Sequence, residues 1–163
     1  GKSTIGKHLA SKLGLTFYDV DRHIESRIAP ETLTAFYTRV GENGFRPIET
    51  EIVLELCDKS EAVIAFGAGS LIRKPNQQSI KLNTLVVYVK VPARKLWARI
   101  QSDPSSGHTR PDLAGGGLKE VKYMLEKREP VYNECSDIVV NGNQSTTSIV
   151  DEIILIYNSN QRN

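Results

Sequence analysis

Apolar positions in this chain form short unbroken runs separated by segments with helical spacing. Ile5, Leu9 and Leu13 recur every four residues, which predicts a helix over 3–13, and Gly14 follows as its stop. LTFYDVD (15–21) reads as a strand. A helical pattern covers about 30–40, and GENG (41–44) breaks it. Pro47, suited to a first helical position, opens another helix carrying Ile48, Ile52, Val53 and Leu56. EAVIAF, TLVVYVKV (84–91) and DIVVN are continuous apolar runs of strand length. ARKLWARIQ, LKEVKYMLEKRE up to Pro130, and TSIVDEIILIY are helical, and the tail NSNQRN reads as frayed.

Strands that are apolar throughout, alternating with helices, predict a parallel sheet covered on both faces. No repeat or linker divides the chain, so 1–163 reads as one α/β domain. The segment 103–117, rich in Gly, Pro and Ser, has the length of a lid or binding loop.

Composition acts mainly by exclusion. The formal net charge is +2, so anion binding must come from local clusters rather than from the overall field. Arginines scattered among distinct motifs argue against a nucleic-acid surface. Phe17, Phe36, Phe45 and Trp97 fall in helix or strand patterns and read as core and pocket walls. Cys57 and Cys135 lack a C-x-x-C partner, and His8, His23 and His108 share no metal-ligand spacing. No run approaches the roughly 18 apolar residues of a membrane span, and no signal peptide is visible. A soluble cytoplasmic protein with free thiols is the expectation.

The opening GKST matches the end of a phosphate-binding loop, G-x-x-x-x-G-K-[ST], with a helix directly behind it. Lys2 would reach phosphates and the Ser3 hydroxyl would face Mg²⁺. A buried strand of about five or six residues and the front of the loop are expected upstream of Gly1. Asp19 and Asp21, two apart at the end of a strand, would share one face of it. Alone, such a pair is an ordinary helix cap. Beside a phosphate loop, one carboxylate can hold Mg²⁺ through water and the other can orient or deprotonate a hydroxyl. GFRPIE offers Arg46 as a fork for a carboxylate, with Glu49 one turn on. GAGS lets a ligand approach the backbone closely. Arg110 in HTRPD and Arg128 in KREPVYNE would otherwise be solvated surface arginines.

In order and spacing, GKST, FYDVD, GFRPIE, FGAGS, TRPDL, REPVYNE and SD resemble shikimate kinase along nearly the whole chain. The resemblance implies a three-layer P-loop kinase fold: a five-stranded parallel sheet, order 2-3-1-4-5, flanked by helices, with the first strand missing from this chain. It implies a monomer that uses ATP and Mg²⁺ to phosphorylate the 3-hydroxyl of shikimate, a step of aromatic amino-acid synthesis. By the same resemblance Gly1, Lys2, Ser3 and Thr4 bind ATP phosphates and the metal, and Asp19 helps hold the metal. Asp21 contacts the shikimate hydroxyls as base or orienting group. Arg46 and Arg128 grip the carboxylate, Glu49 fixes Arg46, and Gly67, Ala68 and Gly69 line the pocket. Arg110 is the lid arginine and Arg99 packs on adenine.

The family usually has three glycines where this chain has Gly67-Ala68-Gly69. A left-handed backbone at Ala68 would cost roughly 1–2 kcal/mol; an ordinary backbone with the methyl turned away would cost nothing. Two rival readings stand beside this one: a related small-molecule kinase such as gluconate kinase, and a kinase-like binding protein without catalysis.

Overall fold

The structure is a computed structural model that describes residues 1–102 and 116–160. Helix α1 (Lys2–Leu13) ends where Gly14 turns left-handed, with φ 68°, and its N–H caps the carbonyl of Ala10. Strand β1 (Thr16–Asp19) lies parallel to β2 (Ala62–Ala65), from Thr16 opposite Ala62 to Asp19 opposite Ala65. Strand β3 (Val87–Lys90) lies parallel to β4 (Ile138–Asn141), from Val87 opposite Ile138 to Lys90 opposite Asn141. Among the described residues these pairs are two separate two-stranded sheets. No described strand is hydrogen-bonded between them.

Helices α2 (Val20–Ile28), α3 (Leu33–Cys57) and α4 (Lys74–Asn83) pack in sequence, α2 on β1 and α3, and α3 on α4, and a 3₁₀ turn, Ser70–Ile72, follows β2. Helices α5 (Ala93–Ser102), α6 (Gly117–Cys135) and α7 (Thr146–Asn160) complete the described chain, with α5 packed on α6. One core gathers Val20, Ile24, Phe36, Phe45, Ile52 and Val53. A second gathers Ile5, Ile138, Val140, Ile149 and Val150. Helix α1 joins the two, touching β1, β2 and α7. Its approach depends on Gly6, where a Cβ would lie 2.6 Å from Cε2 of Phe17. No described helix is long and apolar enough to cross a membrane.

Four local expectations need correction. LTFYDVD is a strand only to Asp19, because the Asp19 side chain accepts from the N–H groups of Asp21 and Arg22 and so starts α2 at Val20. GENG breaks the helix at a single residue: Gly41 has φ 67° and ψ −177°, and helix resumes immediately. Pro47 is therefore inside α3 rather than at its start. Pro130 does not end α6, which runs on to Cys135; it lies on the exposed side, where the carbonyl it leaves without an N–H can turn to water. The tail is helical through Asn160. One expectation about coverage also fails: Val139 of β4 is half exposed, so that strand alternates instead of being buried on both faces. Helix α4, KPNQQSIKLN, had no apolar periodicity to reveal it, since Asn76 and Ile80 are its buried residues.

Gly41 occupies a region of backbone space that is nearly exclusive to glycine. Gly41→Ala is expected to cost about 1–3 kcal/mol. That corresponds to a fall in Tm of about 2–4 °C per kcal/mol for a chain of this size, measurable by thermal denaturation.

Candidate active site

The first turn of α1 carries Ser3 and Thr4, and the Ser3 hydroxyl donates to Oδ2 of Asp19 at 2.6 Å. The other Asp19 oxygen accepts from the backbone of Asp21 at 3.1 Å and of Arg22 at 3.4 Å. Asp19 thus caps α2 and fastens it to α1. Asp21 stands in the first turn of α2, not beside Asp19 on a strand face. Its carboxyl is pushed up to about 6, mainly by burial and then by the charge of Asp19, with Lys2 pulling the other way and Glu49 and Glu25 adding smaller upward pushes.

Glu49, only 2% exposed, accepts from Arg46 Nη1 at 2.7 Å and from the Ser70 hydroxyl at 2.9 Å. Ser70 is held in turn by Asn76, whose Nδ2 donates to the Ser70 carbonyl at 2.7 Å; both residues are fully buried. Arg46 also donates to Glu42 at 3.0 and 3.1 Å and lies over the Phe45 ring, 5.5 Å from its centroid. Burial disfavours its charge, but Glu49 and Glu42 outweigh that and hold its pKa above the ordinary value.

The glycines after β2 make this arrangement possible. A Cβ on Gly67 would stand 3.1 Å from Asp21 Oδ1 and 3.4 Å from Glu49 Oε1. On Gly69 it would stand 2.6 Å from both terminal nitrogens of Arg46. Asp21, Gly67 and Glu49 therefore form one contiguous surface, with Gly69 and Arg46 alongside. The question posed by Ala68 has an answer in the backbone: its φ is not positive, and its side chain is exposed. The left-handed penalty does not arise.

Arg128 lines a cavity of about 620 Å³ together with Tyr132, Leu71, Ile72 and Glu42, the last being a partner of Arg46. Ser3 and Thr4 open instead onto a groove of about 470 Å³ along α1, with Lys7, His8 and Ser11. Arg99 is engaged elsewhere, donating to the Gly142 carbonyl at 3.0 Å in the turn after β4. Arg110 and the lid at 103–115 lie outside the described residues. Sequence reasoning assigned no role to Ser70, Tyr132 or Glu42, although each lies in or beside a motif it singled out. Asn76, inside an unmarked polar helix, gave no signal.

Comparison with known proteins bears directly on this arrangement. The chain matches the shikimate kinase family model over residues 1–157. This chain belongs to the shikimate kinase family. It is 34% identical over 156 residues to the shikimate kinase of Nitrosococcus oceani, covering 94% of this chain and 80% of that one. It is 36% identical over 156 residues to that of Shewanella pealeana, covering 95% and 88%. The structure of Acinetobacter baumannii shikimate kinase in complex with shikimate superposes with a TM-score of 0.91 at 30% identity, covering 98% of this chain and 88% of that one. Aquifex aeolicus shikimate kinase gives 0.82 at 28% identity, covering 99% and 92%. The fold is therefore that of the P-loop kinases, and the chain is a kinase of the shikimate pathway. Family membership sets shikimate ahead of sugar acids such as gluconate.

Gly69→Ala tests the Arg46 seat. Gly69 has φ −96°, which alanine adopts freely, so any effect reports displacement of the guanidinium and not backbone strain. Shikimate affinity, measured by calorimetry, is expected to fall by about tenfold or more, the scale of one charge-assisted hydrogen bond.

Proposed function

We propose that the chain transfers the γ-phosphoryl group of ATP to the 3-hydroxyl of shikimate, with Asp21 as the group that orients and deprotonates that hydroxyl. The observation that carries this reading is the placement of the Asp21 carboxylate, with Oδ1 only 3.1 Å from where a Cβ on Gly67 would stand and the buried Glu49 alongside. A carboxyl tuned to about 6 is mostly ionised at neutral pH yet basic enough to take a proton as the O–P bond forms. Arg46 and Arg128 act as the clamp for the substrate carboxylate, and Glu49 locks the rotamer of Arg46. Binding energy from that remote handle holds the reacting hydroxyl in place, which is where most of phosphoryl-transfer catalysis lies.

Gly1, Lys2, Ser3 and Thr4 receive the ATP phosphates at the N-terminus of α1, where the helix dipole favours negative charge. Ser3 and Asp19 fit Mg²⁺: a hydroxyl and a carboxylate 2.6 Å apart are hard oxygen donors of the kind it takes. Such a cation keeps water and substrate phosphates as its other ligands. When bound, Mg²⁺ supplies charge neutralisation at the phosphates. Arg110 is assigned to the same charge, and Arg99, held at the Gly142 turn by its bond to that carbonyl, is assigned to the adenine. The protein acts as a cytoplasmic monomer; the buried free thiols of Cys57 and Cys135 suit a reducing compartment.

Shikimate-dependent ADP formation with Mg-ATP, beside Asp21→Asn, tests the reading. The variant should lose at least about a hundredfold in kcat. An intact enzyme that binds ATP without any acceleration by shikimate overturns the proposal. In the wild type, kcat/KM should fall about tenfold per pH unit below about 6, because the protonated carboxyl cannot accept a proton.

Stability should move the opposite way. The folded-state pKa lies above the ordinary value of 3.8, so Asp21 contributes stability that is fully present below that pH and is lost as pH rises through about 6. Asp21→Asn is therefore expected to raise Tm at pH 7.5, by up to about 3 kcal/mol of stability, with no gain near pH 4.

A further inference from the structure

In the clamp proposed above, the two arginines reach one turn from different helices. Arg46 of α3 lies against Gly69, on the space where a Cβ would be. Arg128 belongs to α6, which meets the turn through Tyr132. The Tyr132 hydroxyl donates to the carbonyl oxygen of Ala68 at 2.5 Å, joining residues 64 apart in sequence. Its ring packs on Tyr88 of β3 with centroids 5.3 Å apart, and in the same helical turn Glu129 pairs with Lys90 of β3 at 2.6 Å. Arg128 precedes Tyr132 by four residues, so the two share a face of α6, and both line the cavity of about 620 Å³. Burial raises the Tyr132 phenol, and the nearby Arg128 charge partly offsets it. A phenolic oxygen can donate once and still accept, so one hydroxyl can serve the Ala68 carbonyl and the Arg128 guanidinium together.

We propose that Tyr132 is a positioning residue for the acid substrate, bridging the Ala68 carbonyl and Arg128 so that the second arginine keeps register with the first. The inference rests on the reading of Arg46 and Arg128 as the carboxylate clamp. The turn then sets both arginines, one through the missing Cβ of Gly69 and the other through the backbone of Ala68. Because Ala68 contributes its carbonyl and keeps its methyl exposed, the side chain there is unconstrained.

Tyr132→Phe removes the hydroxyl and retains the ring on Tyr88. KM for shikimate should rise about tenfold, with kcat and KM for ATP within about twofold, the signature of lost uniform binding. In an Arg128→Ala background the same change should raise KM less than about twofold, since the group it orients is gone. An unchanged KM for shikimate overturns the inference. So do additive effects in the double variant, or a parallel fall of kcat and of affinity for both substrates. Loss of the folded far-UV circular dichroism spectrum in Tyr132→Phe would make the residue structural and would also overturn it. Wild-type enzyme lacking shikimate-dependent turnover would instead remove the clamp reading; normal wild-type turnover with an unchanged variant removes only the role of Tyr132.

Discussion

A charged carboxylate buried in the core constrains this molecule more than any single apolar contact. Glu49 is 2% exposed, and removing one partner of such a group costs about 3–5 kcal/mol, because the charge left behind has no water. Its partners come from different places: Arg46 from the same helix, Ser70 from the turn after β2. Asn76 of α4 then secures Ser70 through its carbonyl. Satisfying one carboxylate therefore fixes the relation of α3, α4 and the end of β2. The rest of the site is built on that junction.

The same junction explains the local electrostatics. Asp19, Asp21 and Glu49 gather on one side, with Lys2 and Arg46 as the cations that offset them. Asp19 and Glu49 each accept hydrogen bonds from more than one donor. Asp21 receives burial and like-charge neighbours in greater measure, so its proton is held more tightly. Under the role proposed for Asp21, stability is sacrificed where reactivity is gained.

Close approach is the second constraint. Gly6 admits Phe17 against α1, Gly67 admits Asp21 and Glu49, and Gly69 admits the whole guanidinium of Arg46. None of these three glycines has a positive φ, so their value here is the absence of a side chain rather than backbone freedom. Ala68, between the last two, points outward and obeys no such limit.

The sequence by itself determined the parallel α/β class, because unbroken apolar runs separated by helical periods have few other solutions. It also picked out GKST, GFRPIE, GAGS and REPVYNE as chemistry, since spacing within a few residues is local information. The helix breaks were legible less well. Gly41 interrupts α3 for one residue and Pro130 does not end α6, because packing on the rest of the fold overrides a local preference of a few kcal/mol. Asp21 changed from strand to helix because the Asp19 cap ended β1 two residues early. Only the tertiary structure decided which distant groups share an atom: Ser70 with Glu49, Asn76 with Ser70, Tyr132 with Ala68. Those bonds join segments with no periodic relation to one another, and the burial that makes them obligatory exists only after the chain has folded.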